Sequence, residues 1–196
     1  MTDWTDLTKN LEQRGFTPKV FATAAEAADY LDRTIDGVSV GFGGSMTVQE
    51  MGLYPRLAAH NKAVWHWNKD GLEQAAVTDV YICSVNGLAE TGEIVNIDGA
   101  GNRVASTIFG HKRVYLVVGR NKIAPDYDQA LWRARNIAAP KNSQRLGLST
   151  PCAANADRCY NCSSPDRICR ALVVLWEKPR NVETMEVILI DEELGY

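Results

Sequence analysis

Four of the chain's five cysteines, Cys152, Cys159, Cys162 and Cys169, fall within eighteen consecutive residues in the spacing Cys-x6-Cys-x2-Cys-x6-Cys. Four thiolates match in number either a tetrahedral zinc ion or a cuboidal iron–sulfur cluster. A zinc ribbon normally presents two close Cys-x2-Cys knuckles. Here only Cys159 and Cys162 are close, and the outer two stand six residues away on either side. That spread suits a larger cluster somewhat better than a single ion. A 4Fe-4S centre is therefore the first expectation, zinc the alternative, and a metal-free or disulfide-bonded segment the third. The fifth cysteine, Cys83, lies in the apolar run "VYICSV" and reads as a buried core thiol.

A second set of residues suits anion chemistry. In "SVGFGGSMTVQE" a strand-like run ends in glycines and passes into a helix start. Glycines let a ligand approach the backbone, unpaired amides at a helix N-terminus attract anions, and Ser45 and Thr47 add hydroxyl donors to Gly43 and Gly44. The spacing is neither a dinucleotide fingerprint nor a Walker loop, since the third glycine and the lysine are missing. Glu50 reads as the partner of Thr47 in a capping box. Downstream, "SVNGLAETGEIVNIDGAGNR" supplies Asn86, Glu90, Thr91, Asn96 and Asp98, of which Asp98 has a plain reading as turn chemistry. Glu90, the carboxylate nearest a predicted strand end, is the candidate general base. "GRNK" supplies Arg120 and Lys122 as cations for a carboxylate or phosphate, with Lys69 a further one. His60, His66 and His111 are far apart in sequence and read as structural or solvent-facing, and the five tryptophans form no evident base-stacking platform.

The elements around these residues alternate. Residues 3–14 predict a short helix, "PKVFA" a strand, and "TAAEAADYLDRTI" a helix opened by a Thr23–Glu26 capping box. "GVSVGF", "KAVWHW", "TDVYICSV" and "KRVYLVVG" are buried-type strands. A helix starting at Pro55 follows the glycine loop, and "GEIVNIDGAGNRVAS" predicts two strands about a turn. "PDYDQALWRARNIAA" is helical, Pro140 opens a short helix closed by Gly147, and "ALVVLWEKP" with "MEVILID" suggests an antiparallel pair. Such alternation implies a Rossmann-like three-layer α/β/α fold with a mainly parallel sheet, a small antiparallel addition and a cysteine-rich loop. In such folds ligands sit beyond the carboxyl ends of strands. The segments 43–47, 68–70, 84–87 and 119–122 are expected to gather there.

Composition narrows the partners. The 196 residues carry 21 Lys+Arg against 24 Asp+Glu, a net charge of −3, and no basic run exceeds two residues, so nucleic-acid binding is not expected. The polar start "MTDWTDLTKNLEQRG" lacks an apolar signal core, and no stretch reaches membrane-spanning length, which predicts a cytoplasmic protein without membrane insertion. In that compartment clustered thiols are metal ligands more often than disulfide partners.

In order, "VGFGGSMTVQEMGL", "SVNGLAETGEIVNIDGAGNRVASTIFG", "VYLVVGRNKI", "RARNIAAP" and "TPCAANADRCYNCSSPDRIC" make the chain resemble the LUD domain family, the lactate-utilisation proteins. It is most similar to a short branch carrying the cysteine segment, and the resemblance runs from about Gly15 to the final "DEELGY". The resemblance implies one LUD-type domain over residues 1–196, with a metal-binding segment at 150–170 inside it. It also implies the layer fold shared with ribose-5-phosphate isomerase, glucosamine-6-phosphate deaminase and the CoA transferases, in which a Gly/Ser loop holds an anion; Gly43, Gly44, Ser45 and Thr47 match that loop. Some members are similar to subunits of an iron–sulfur lactate-oxidising system, so a small anionic metabolite, an iron–sulfur centre and partner subunits are the implied ligands. The alternative is a non-redox isomerase or transferase on a phosphorylated or CoA-linked substrate, with structural zinc. A subunit that only docks onto a redox partner is a third reading.

Overall fold

A computed structural model describes residues 2–68 and 71–196. Lys69, named above as an edge cation, lies outside the described residues. Six strands form the larger sheet: β1 (Thr17–Phe21), β2 (Ser39–Phe42), β3 (Lys62–Trp65), β4 (Val80–Ser84), β7 (Arg113–Gly119) and β10 (Thr184–Ile190). Their order is β1-β10-β7-β4-β2-β3, and every neighbouring pair is parallel. A smaller sheet, ordered β8-β5-β6-β9, is built from β5 (Gly87–Ala89), β6 (Ile94–Asp98), β8 (Ile123–Ala124) and β9 (Ala171–Leu175). In it β6 pairs antiparallel with both β5 and β9.

The apolar runs are continuous because both faces of the main sheet are covered. In β4, Tyr81 and Cys83 pack into one layer with Leu7 and Leu11 of helix α1 (Thr5–Gln13), while Val80 and Ile82 pack into the other with Leu31 of α2 (Ala24–Thr34). The α2 capping box forms as the sequence suggests: Thr23 accepts from the Glu26 amide, and the Glu26 carboxylate accepts from the Thr23 amide.

Local departures have identifiable causes. Helix α3 (Met46–Glu50) is capped by Ser45, whose hydroxyl accepts from the Val48 amide at 3.2 Å, so Thr47 and Glu50 form no capping box. Helix α4 (Leu53–Ala58) starts two residues before Pro55, directly after Gly52 at φ 60°, and the proline is tolerated because first-turn amides need no intrahelical partner. Instead of a second strand after β6 there is helix α6 (Asn102–Ile108), because the Asp98 carboxylate captures the amides of Gly101 and Val104 and starts a turn. The two final apolar runs do not pair with each other: β9 joins the small sheet through β6, and β10 enters the main sheet between β1 and β7. Helix α5 (Gly71–Ala75) follows β3. Helix α7 (Tyr127–Arg133) runs through a π-turn at Ala134–Ala138 into α8 (Ala139–Arg145), and α9 (Pro151–Asn155) precedes the irregular cysteine segment.

Candidate functional site

From β2 the chain moves outward to β3 on one side, and β4, β7 and β10 lie on the other. The reversal between β2 and β4 is the crevice where such sheets bind ligands. A cavity of about 300 Å³ opens there, lined from the ends of β2 (Gly44, Ser45), β3 (His66, Trp67), β4 (Ser84, Asn86) and the turn after β7 (Lys122). The π-turn and α8 close another side through Ala138, Asn142 and Arg145.

Lys122 is the innermost cation. Its side chain is 3% exposed, and Nζ donates to Thr47 Oγ1 at 2.8 Å and to Ser84 Oγ at 2.9 Å. An ammonium has three donors, so one remains for a ligand. Burial pushes its pKa down to about 7, with Arg133 and Arg103 adding to the shift and Glu50 opposing it. Thr47 is anchored in turn, its hydroxyl donating to Leu194 O at 3.2 Å. The Glu50 carboxylate accepts from the Gly195 amide at 2.7 Å, so it fastens the C-terminal segment behind the lysine.

Arg103, from α6, supplies the second charge. Its two terminal nitrogens donate to Ser84 O, Asn96 Oδ1, Asn86 Oδ1 and Ile97 O at 2.7–3.0 Å, and its Nε lies 3.9 Å from Asp98. Asn86 and Asn96 thus hold this guanidinium in place through neutral acceptors. Arg133 ties the same loops together, donating to Asn121 O at 2.8 Å and Asn86 O at 2.5 Å; burial lowers its pKa to about 10. Arg145 lies over the Trp67 ring, 5.4 Å from its centroid.

His66 accepts at Nδ1 from the Asn102 amide nitrogen at 2.8 Å. An amide nitrogen only donates, so the neutral ring carries its proton on Nε2. Burial lowers its pKa, which keeps it neutral at physiological pH. A Cβ added at Gly44 would sit 2.5 Å from His66 Nε2 and 2.9 Å from Trp67 Nε1, and one at Gly43 would sit 2.7 Å from the Tyr81 hydroxyl. Neither glycine has a positive φ, so space rather than backbone conformation selects them.

The structure brings Gly44, Ser45, Asn86, Asp98 and Lys122 to this cavity. Gly43, Thr47 and Asn96 stand just behind it, in contact with its wall. Glu90 and Thr91 do not come to it. They are exposed at the β5–β6 turn against α1, where Asn10 donates to Glu90 O at 2.8 Å and Thr91 bonds Glu93. Arg120 also points elsewhere, half exposed and donating to Asp191 O at 3.2 Å. The general-base assignment of Glu90 therefore has no geometric basis. His66, Trp67, Arg103 and Arg145 are the residues that sequence reasoning missed. For Arg103 and His66 a signal existed, since both follow or flank segments already singled out.

The four clustered cysteines are all partly exposed and carry free thiols. Cys159 and Cys169 border a second cavity of about 300 Å³ with Arg135, Arg167 and Arg170, while Cys152 lies in α9. Arg135 donates to Cys159 Sγ at 3.7 Å, and Arg167 to the carbonyls of Cys169 and Cys162 at 2.8 and 2.9 Å. Among the described residues no three His, Cys, Asp or Glu side chains converge as metal ligands. As folded, the four thiols do not fit a metal ion or cluster. A centre there requires residues 156–170, which lack regular structure, to close around it. Cys83 is fully buried in β4, and burial pushes its thiol up to about 11.

Among the described residues no helix is long and apolar enough to cross a membrane. No curated protein sequence matches the chain significantly. Among solved structures, a DUF162 family protein from Deinococcus radiodurans is similar with a TM-score of 0.53 at 13% identity, covering 97% of this chain and 99% of that one. Weaker similarities are to ribose 5-phosphate isomerase from Plasmodium falciparum (TM-score 0.35, 11% identity, 52% of each chain) and to eIF2B beta from Chaetomium thermophilum (TM-score 0.40, 15% identity, 54% of this chain and 44% of that one). The profile of the LUD domain matches residues 5–190. The chain accordingly belongs to the LUD domain family and is, in that general sense, a lactate-utilisation-type protein.

Proposed function

We propose that this protein binds a small organic anion, a carboxylate or phosphate, in the cavity at the carboxyl edge of β2, β3, β4 and β7, and serves organic-acid oxidation. One observation carries this reading: Lys122 is buried against the cavity, its ammonium form has a third donor left over, and among the described residues no carboxylate pairs with it. Arg103 and Arg145 extend the positive field. Among the described residues the one carboxylate side chain of the lining, Asp98, is occupied by the amides of Gly101 and Val104. Calorimetric titration with lactate, phosphate and CoA tests this. Binding that is lost in Lys122→Met, in protein of unchanged circular dichroism, supports the reading; undiminished binding in that variant sinks it.

A non-redox role is favoured by a different observation. Lys122, with its pKa lowered to about 7, can exchange a proton near neutral pH, and the neutral imidazole of His66 borders the same cavity. Exchange of a bound ligand's carbon-bound hydrogen with solvent deuterium, followed by NMR, separates this isomerase-type reading from simple binding. Iron–sulfur or zinc loading of Cys152, Cys159, Cys162 and Cys169 draws support from the number of thiols and from the family, not from their placement. Iron, zinc and acid-labile sulfide measured in anaerobically purified protein test it. Partner subunits are likewise suggested by the family, and co-purification tests them.

A further inference from the structure

The cavity has two chemically different ends. Its floor is polar: Lys122, Ser84 and the Arg103 network. Its mouth is mixed: Arg145, which lies over the Trp67 ring, and Asn142 stand beside three large apolar side chains. Trp67, Leu72 and Leu146 are 40%, 44% and 46% exposed, and all three line this one cavity. Large apolar side chains left this open are scattered singly on most surfaces, and their convergence on one opening marks a binding surface. Three different elements contribute them: the turn after β3, helix α5 and the end of α8.

Trp67 is also held rigid. It stacks on Trp65 with ring centroids 4.8 Å apart and planes 17° from parallel, and Trp65 is fixed by donating from Nε1 to Gly43 O at 3.1 Å. Arg145 also lies over this ring, 5.4 Å from its centroid, so what Trp67 offers is a preorganised edge, which presents contact area with little further loss of freedom on binding. At about 300 Å³ the cavity matches the lower end of ordinary ligand pockets of roughly 300–1,000 Å³, where most of a ligand's surface is covered. A lactate or phosphate ion held at Lys122 leaves the mouth open to water.

We infer that the ligand is an amphiphilic anion: a carboxylate or phosphate head at Lys122 carrying an uncharged apolar arm of aryl size that packs at Trp67, Leu72 and Leu146. This rests on the anion-binding reading above and names its substrate class. The apolar side chains of the mouth then set specificity, since aryl burial adds affinity only for ligands long enough to reach them.

Paired titrations test it with intact protein: lactate against 3-phenyllactate, and inorganic phosphate against phenyl phosphate. The aryl member of each pair is expected to bind at least about tenfold more tightly. The Leu72→Ser/Leu146→Ser double variant, altered only at exposed positions, should lose most of that advantage while keeping wild-type affinity for lactate and phosphate. A Trp67→Ala variant, checked by circular dichroism, provides a second measure of the same loss. Equal affinity within both pairs overturns the inference and leaves anion binding intact. So does an aryl advantage that survives in both variants. Binding of no member of either pair overturns the anion reading itself, and the inference with it.

Discussion

Lys122 Nζ and Thr47 Oγ1 lie 2.8 Å apart, joining the turn after β7 to the first turn of α3 across 75 residues of sequence. Ser84 completes the clasp from β4 at 2.9 Å. Three strand ends are thereby tied at one nitrogen.

Stability should follow the lysine's protonation. Its pKa is about 7 in the fold against an ordinary value of 10.5, so between those pH values the unfolded chain binds more protons. Stability therefore rises with pH across that window through this group, and below pH 7 the full cost of the buried charge is present. Urea unfolding of wild type and Lys122→Met at pH 7, 8 and 9 measures the difference. Wild type should gain on the variant by at most about 1.4 kcal/mol per pH unit. Parallel curves would show that Lys122 is charged throughout.

Anion binding should take up a proton. Above pH 7 the free lysine is mostly neutral, whereas a carboxylate beside Nζ favours the ammonium. Affinity should then fall as pH rises from 7 to 9, approaching tenfold per unit. Calorimetry at pH 8 in two buffers of different ionisation enthalpy should report uptake nearing one proton. Buffer-independent heats would place the anion away from Lys122.

Two glycines three residues apart, one inside β2 and one just beyond it, should fail differently. At Gly41 a Cβ would meet the Ala75 carbonyl oxygen at 2.3 Å, a backbone atom that cannot move aside. Gly41→Ala should thus destabilise the protein by about 1–3 kcal/mol or more, read by thermal melting. At Gly44 the obstacles are the His66 and Trp67 side chains. Gly44→Val should fold, with the cavity filled and anion binding lost. Normal binding by Gly44→Val would move the ligand elsewhere.

Thiol reactivity should divide the cysteines. Cys152, Cys159, Cys162 and Cys169 are partly exposed and free, while Cys83 is fully buried with its pKa raised to about 11. Ellman's reagent on reduced, metal-stripped protein should label four thiols promptly and the fifth only on unfolding. A Cys83→Ser variant should show the same prompt labelling. Fewer than four fast thiols would reveal a disulfide or a more closed segment.

The glycine loop and Lys122 were legible because strand-end chemistry depends on local order: an apolar run, then small or charged residues. Glu90 was misplaced by the same logic. The main-sheet strand β4 ends at Ser84, and β5 then carries the chain away from that edge, so Glu90 sits at the far end of a different sheet. For His66 and Arg103 the sequence offers only their nearness to segments already singled out, because their roles arise from contacts across 36 and 17–19 residues, with Asn102, Ser84 and Asn86. Apolar runs also name no partner, which is why β9 and β10 were paired with each other rather than with β6, β1 and β7. Cysteine spacing gives a ligand count, but convergence depends on loop conformations that spacing does not encode.

The position of β10 bears on how the chain reaches its native state. This strand follows every other in sequence, yet it lies inside the main sheet, with β1 and β7 on its two edges and all but its first residue buried. Until it docks, β1 has no partner in the sheet, and the apolar edge of β7 stays open to other chains. Parallel pairing across so long a stretch of sequence is slow to form, and an unpaired strand edge is a template for other chains until it does. The segment after β10 also brings Leu194 and Gly195 to Thr47 and Glu50. The backing of the clasp by the C-terminal segment therefore depends on β10 being in place.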